Sequence, residues 1–206
     1  MKGCLSFIIK IIIAVLVFFG LQHIGAIDFI KSKINDYQNK TQEEIVDKTK
    51  DVVDLSEIDE EYTIDKNLKI LKNRMIIAQH NATDQKMIMI EPKDETILTK
   101  EDINSEKLQE KIDGIINKYK YQVVKFDKIE VNKQGEMEGL DQKIPYAKVK
   151  AEISNLPIKD IEGIVGVAEL ENGKNLIVIS VNEKGKYSQI ITDAFYKKVK
   201  NVKRIQ

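Results

Sequence analysis

One cysteine, two histidines, three prolines and no tryptophan are all that this chain carries of those residue types. The cysteine, Cys4, stands before or inside an apolar run, so the folded part after it has no disulfide and no thiol chemistry. A bacterial lipoprotein cysteine follows its hydrophobic segment, and Cys4 precedes it, which excludes that modification. S-palmitoylation beside a membrane helix and a small apolar residue at a membrane edge both stay open. The early glutamate of a pilin-type N-terminus is missing. His23 lies within the apolar run and His80 has no companion histidine or cysteine, so neither a metal site nor a nucleophile–base pair can be assembled. Gly163 and Gly166 lie in a strand pattern with no Lys-Ser/Thr after them, which excludes a phosphate-cradling loop. Glu136 and Glu138 do not mark a catalytic pair in a chain this rich in carboxylates. Excess charge of either sign is also absent, since 33 Lys and Arg balance 33 Asp and Glu. A dedicated nucleic-acid binder would carry a basic domain. No catalytic, cofactor-binding or metal-ligating residue is therefore named, and no motif marks an enzyme.

What is there is a dense apolar segment. Residues 11–21 read IIIAVLVFFGL, and the run extends from Leu5 to Ile27 with Lys10 inserted. A spanning helix needs about 20 mainly apolar residues. The length suffices if Lys10 snorkels toward the headgroups and Gln22 and His23 sit at the far interface. Residues 1–30 are read as a single-pass anchor that contacts a lipid bilayer through residues 5–27. The alternative is a cleaved secretory signal, with Lys2 and Lys10 as its basic region and Ala26 before the cut. Lysines flank both ends, so charge asymmetry barely sets orientation. The short N-terminal tail places the large domain outside the cytoplasm.

Residues 26–91 contain neither Gly nor Pro. Ile30, Ile34, Tyr37, Ile45, Val52 and Leu55 approximate a helical stripe, with gaps at Thr41 and Lys48. Residues 31–61 are read as an acidic helical stalk and linker. Its stripe would pair weakly with a second copy or lie on the globular part. The carboxylates between Asp51 and Glu61 lack the turning glycine of a calcium loop and read as a solvated linker.

Residues 62–206 form the globular part, which opens near Tyr62. Residues 75–80 and 86–90 flank a polar turn at residues 81–84, a hairpin pattern. Asn39 and Asn81 open glycosylation acceptor triplets, meaningful only in a eukaryotic secretory setting. Thr99 caps an amphipathic helix over residues 100–119, with Asp102 three positions on. Val124, Phe126, Ile129 and Val131 predict a strand kinked at Asp127 and Lys128, and residues 134–139 read as a loop. Ala147, Val149, Ala151 and Ile153 alternate with charged residues, as in a half-buried antiparallel strand. A strand at residues 164–170 follows, then a type I′ turn at Asn172-Gly173. Residues 176–181 (LIVISV) are nearly continuously apolar, so this strand is central and covered on both faces. A last helix over residues 187–199 turns Ile190, Ile191, Ala194 and Phe195 inward. Lys197, Lys198, Lys200, Lys203 and Arg204 near its end either complement the helix macrodipole or touch anionic headgroups.

The fold class is thus α+β, a mainly antiparallel sheet of about six strands with two amphipathic helices, on one face or on both. This order, with the Asn172-Gly173 hairpin feeding a terminal helix that carries Phe195 inside, resembles the PsbP-like α/β/α sandwich over residues 64–198. The resemblance implies a small extracytoplasmic or lumenal binding and assembly domain. The expectation is an anchored, non-enzymatic binding or scaffolding domain of the cell envelope with a protein partner there, no cofactor, and weak self-association through the stalk. A secreted form after cleavage, and an enzyme without a recognisable motif, are the alternatives.

Overall fold

The computed structural model describes residues 41–70, 73–92, 98–118, 126–154 and 160–202. The anchor of residues 5–27, Cys4, His23, Asn39, Lys203 and Arg204 lie outside the described residues. Among those that are described, no helix is long and apolar enough to cross a membrane.

The described elements, in chain order, are α1 (Gln42–Thr49), β1 (Val53–Asp54), β2 (Tyr62–Ile70), β3 (Asn73–His80), β4 (Lys86–Glu91), α2 (Lys100–Ile103), α3 (Leu108–Lys118), β5 (Phe126–Gly139), β6 (Gln142–Ile153), β7 (Asp160–Glu169), β8 (Asn175–Glu183), α4 (Gln189–Lys198) and β9 (Lys200–Asn201). Seven strands form one sheet in the order β2-β3-β4-β8-β7-β6-β5, with every neighbour antiparallel. β1 and β9 pair separately. The main sheet joins two meanders. The chain leaves β4, runs through α2 and α3, re-enters at the far edge as β5 and returns by hairpins until β8 lies beside β4.

Both faces are packed, because alternate side chains of a strand point to opposite sides. Ile76, Ala78, Met87, Met89 and Val178 join Leu55, Phe195 and Tyr196 under α1 and α4. Met75, Ile77, Ile88, Ile90, Ile177 and Ile179 join Ile103 and Leu108 under α2 and α3. This doubly covered geometry explains why residues 176–181 are apolar except for Ser180, and β8 stands fourth of seven as their composition requires. Helices flank the sheet on both sides.

Several local expectations change. The main sheet has seven strands because β2 precedes the first predicted hairpin. A register shift between Ile64 and Lys66 breaks its alternation and hides it from a period-two reading. The predicted kink at Asp127 is a similar shift, between Phe126 and Lys128. The helix of residues 100–119 is two helices, broken after Ile103, although Thr99 and Asp102 form the expected reciprocal capping box. Residues 134–139 are strand rather than loop. Gly135 lies where a Cβ would meet the Tyr146 ring at 2.7 Å, and Gly139 where one would meet Tyr196 O at 2.7 Å. These glycines mark close approach, not a turn.

Turn geometry is exchanged as well. Leu140 and Asp141, with φ of 50° and 57°, make the two-residue connection with both φ positive. In the β7–β8 loop only Gly173 is left-handed, and Asn172 contributes its side chain, accepting Lys174 N–H at 3.0 Å. Leu140 is fully buried, and its N–H donates to Val199 O at 2.9 Å. Burying a leucine is worth about 2 kcal/mol, enough to offset the ~1–2 kcal/mol of a left-handed residue with a side chain.

The phase of α4 also differs. Thr192, Phe195 and Tyr196 are buried and Ile191 packs partly against them, whereas Ile190 is 80% exposed and Ala194 is exposed. A buried polar pin sets this phase. Gln85 Nε2 lies 3.0 Å from Ser180 Oγ and 2.9 Å from Thr192 Oγ1, while Gln85 Oε1 accepts Ser188 N–H at 2.8 Å. Turning Ile190 inward would tear these bonds from groups that water cannot reach.

Asp102 offers a test of the local electrostatics. Burial disfavours its charge, but hydrogen bonds from Lys111 and from Thr99 N–H outweigh that and hold the carboxyl below its ordinary 3.8. A depressed folded value stabilises the fold above pH 3.8, and the benefit is lost as pH falls through the lower folded value. Asp102→Asn is therefore expected to flatten the fall in melting temperature between pH 5 and pH 2, checked by circular dichroism.

Candidate binding groove

The residues read as stalk supply an open concave surface. From Thr41 onward the chain lies on the sheet, the second of the two placements open to its stripe. Val52, Val53 and Leu55 are core residues, and Ile45, Val46 and Ile58 pack against them. α1 begins where Thr41 accepts Glu44 N–H at 3.3 Å, a cap that fixes its start. It ends at Thr49, ahead of the Leu55 at which the helical stripe stops, because Val52 N–H turns back to Thr49 O at 2.7 Å. Two contacts tie it to β2. Gln42 pairs with the backbone of Ile64, and Asn67 Nδ2 donates to Lys48 O at 2.8 Å.

Between α1 and residues 55–58 lies an open groove of about 610 Å³. Leu55, Val46 and Ile58 give it an apolar floor, and Glu43, Glu44 and Asp47 give it an acidic rim. Lys50, 3.1 Å from Asp47, is the cation among its lining residues. Glu43 and Glu44 also sit in the first turn of α1, where negative charge complements the helix dipole. An apolar floor beneath carboxylates suits a ligand with aliphatic stems and cationic tips, the chemistry of lysine and arginine side chains.

The other residues singled out in the sequence take different places. His80 is half-buried, edge-on to Tyr62 at 5.2 Å, with Nδ1 2.9 Å from Thr83 Oγ1. No group of three or more His, Cys, Asp or Glu that could hold a metal occurs among the described residues. Glu136 and Glu138 each face a lysine, Lys143 at 3.8 Å and Lys197 at 3.9 Å. Asn81 Nδ2 donates to Glu60 O at 2.8 Å, which binds the first hairpin to the acidic segment. That segment also meets two of the C-terminal lysines: Asp59 pairs with Lys198, and Glu57 lies 3.8 Å from Lys200. These pairs join the acidic segment to the end of α4 and to β9, while Glu57 and Asp59 themselves stay exposed.

Within an acidic stretch read as stalk, Glu43, Glu44 and Asp47 carry no local mark of a site. The pattern Thr41-x-x-Glu44 is a helix-start signal and could have placed α1 correctly. Its apposition to residues 55–58 depends on the tertiary fold. Comparison with models of known protein families, and with curated protein sequences, gives no match.

Proposed function

We propose that this chain is a single-pass, membrane-anchored binding module without catalytic chemistry, placed outside the cytoplasm. Its groove receives a basic, partly apolar segment of an envelope protein. The observation that carries the reading is the position of the groove. Thr41 follows Ile27 by fourteen residues, so a fully extended connection of ~3.5 Å per residue keeps the groove within about 50 Å of a bilayer that holds residues 5–27. An acidic rim there repels anionic headgroups and attracts cationic peptide. Layering of helix, sheet and helix supports the resemblance to PsbP-like sandwich domains at the level of architecture, and with it a binding and assembly role.

The test uses the full chain in nanodiscs and a fluorescent Lys/Leu amphipathic peptide as probe. Replacing Glu43 and Glu44 by Gln and Asp47 by Asn is expected to weaken binding about tenfold, or ~1.4 kcal/mol, in fluorescence anisotropy. Added salt should erase the difference, because exposed charges are screened. Equal affinity of the parent and the triple variant would remove the groove from the function.

A further inference from the structure

The edges of a sheet present unpaired N–H and C=O groups that can template another strand. Here both edges meet a glutamine carried by a helix. On β2, Gln42 Nε2 donates to Ile64 O at 3.0 Å and Gln42 Oε1 accepts Ile64 N–H at 3.0 Å. On β5, Gln109 Nε2 donates to Ile129 O at 3.1 Å and Gln109 Oε1 accepts Val131 N–H at 2.6 Å. A primary amide offers the donor and acceptor of a peptide group, so each glutamine occupies the place of one residue of an added strand. α1 and α3 lie on opposite faces of the sheet, so unrelated segments each bring a glutamine to an edge, Gln42 on both groups of one residue and Gln109 bridging residues 129 and 131. On β5 the plugged pair lies between two register shifts, at Phe126/Lys128 and Asn132/Gln134.

We infer that Gln42 and Gln109 are plugs that close the sheet edges, and that the strand they exclude at β5 is the β5 of a second copy of this chain. Charge complementarity identifies that occupant: Lys128 and Glu130 pair with each other along β5, and across a two-fold each can take the other's counterpart instead. An antiparallel pair of β5 strands centred on Ile129 sets Lys128 of each copy opposite Glu130 of the other, so one contact forms two opposite-charge pairs. Ile129 O and Val131 N, the groups held by Gln109, face outward from the β5–β6 ladder and are the groups such a pair would use.

The test is made on the full chain in a single detergent, with mass measured by light scattering and amide exchange by NMR. Gln109→Ala is expected to shift the chain toward dimer, with a dissociation constant at least about tenfold lower than that of the parent. Adding Lys128→Glu should abolish the shift, because Glu then faces Glu. In monomer at high dilution, Gln109→Ala should speed exchange at Val131 alone, leaving Val149 and Val165 protected. Gln42→Ala should do the same at Ile64. An unchanged mass for Gln109→Ala, a dimer that survives Lys128→Glu, or loss of protection throughout the sheet would each overturn the inference.

Discussion

Gly163→Ala is expected to destabilise the fold by about 3 kcal/mol or more, the largest effect of any single methyl group added to the sheet. Gly163 lies on β7 opposite Val181 of β8, at the middle of the sheet order. A Cβ there would overlap Ser180 O and stand 2.7 Å from Val181 Cγ1. Neither neighbour can retreat. Ser180 is fully buried and held through Gln85 and Thr192, and the Val181 backbone is itself a rung of the ladder. The strands must part, and that loosens both covered faces. Gly173→Ala is the control: nothing lies within 4 Å, and the penalty is only that of its φ of +75°, about 1 kcal/mol. Thermal unfolding should show a fall of roughly 10 °C for the first and a few degrees at most for the second. Equal effects would mean that β7 and β8 are not in this register.

Tyr196→Ala is expected to cost about 4 kcal/mol. Tyr196 is fully buried, its ring meets Phe195 edge-on at 5.2 Å, and its backbone rests where Gly139 has no side chain. Its hydroxyl donates toward the carbonyls of Ile179 at 2.9 Å and Ile88 at 3.3 Å, on the adjacent strands β8 and β4. This one side chain fastens the terminal helix to the junction of the two meanders. Tyr196→Phe keeps the ring and should cost about 1 kcal/mol. Burial pushes the Tyr196 phenol well above its ordinary value, and Tyr187 nearby adds to the shift. An acid whose folded value is raised stabilises the fold fully below its unfolded value, here 10.0, and the contribution fades as pH rises beyond that. Alkaline unfolding should therefore be less steep above pH 10 in Tyr196→Phe than in the parent, read by circular dichroism.

These two residues show what the sequence could and could not convey. The nearly continuous apolar composition of residues 176–181, broken only by Ser180, announces a strand covered on both sides, because no other place hides both sets of side chains. Thr99 and Asp102 declare a helix start through a purely local exchange of hydrogen bonds. Gly135 and Gly139 mislead because a glycine that admits Tyr146 or Tyr196 is written with the same letter as one that turns a loop. α4 is misphased for a related reason. Ile190 looks more apolar than Thr192, yet Thr192 faces inward because Gln85 and Ser180 wait there as partners. The bulge after Ile64 shifts the alternation of β2 and removes the signal on which strand assignment rests. The groove shares this limit. Its floor joins α1 to residues 55–58 through packing on the sheet, and no local pattern along residues 31–61 announces that contact.

The tethered-module reading is tested most directly by expressing the full chain without an N-terminal tag, isolating membranes and extracting them at alkaline pH. A polypeptide of 23.6 kDa with its original N-terminus should stay in the membrane pellet after extraction. Recovery in the aqueous fraction would contradict the reading, whether the chain emerges intact and monodisperse or cleaved to begin at Ile27.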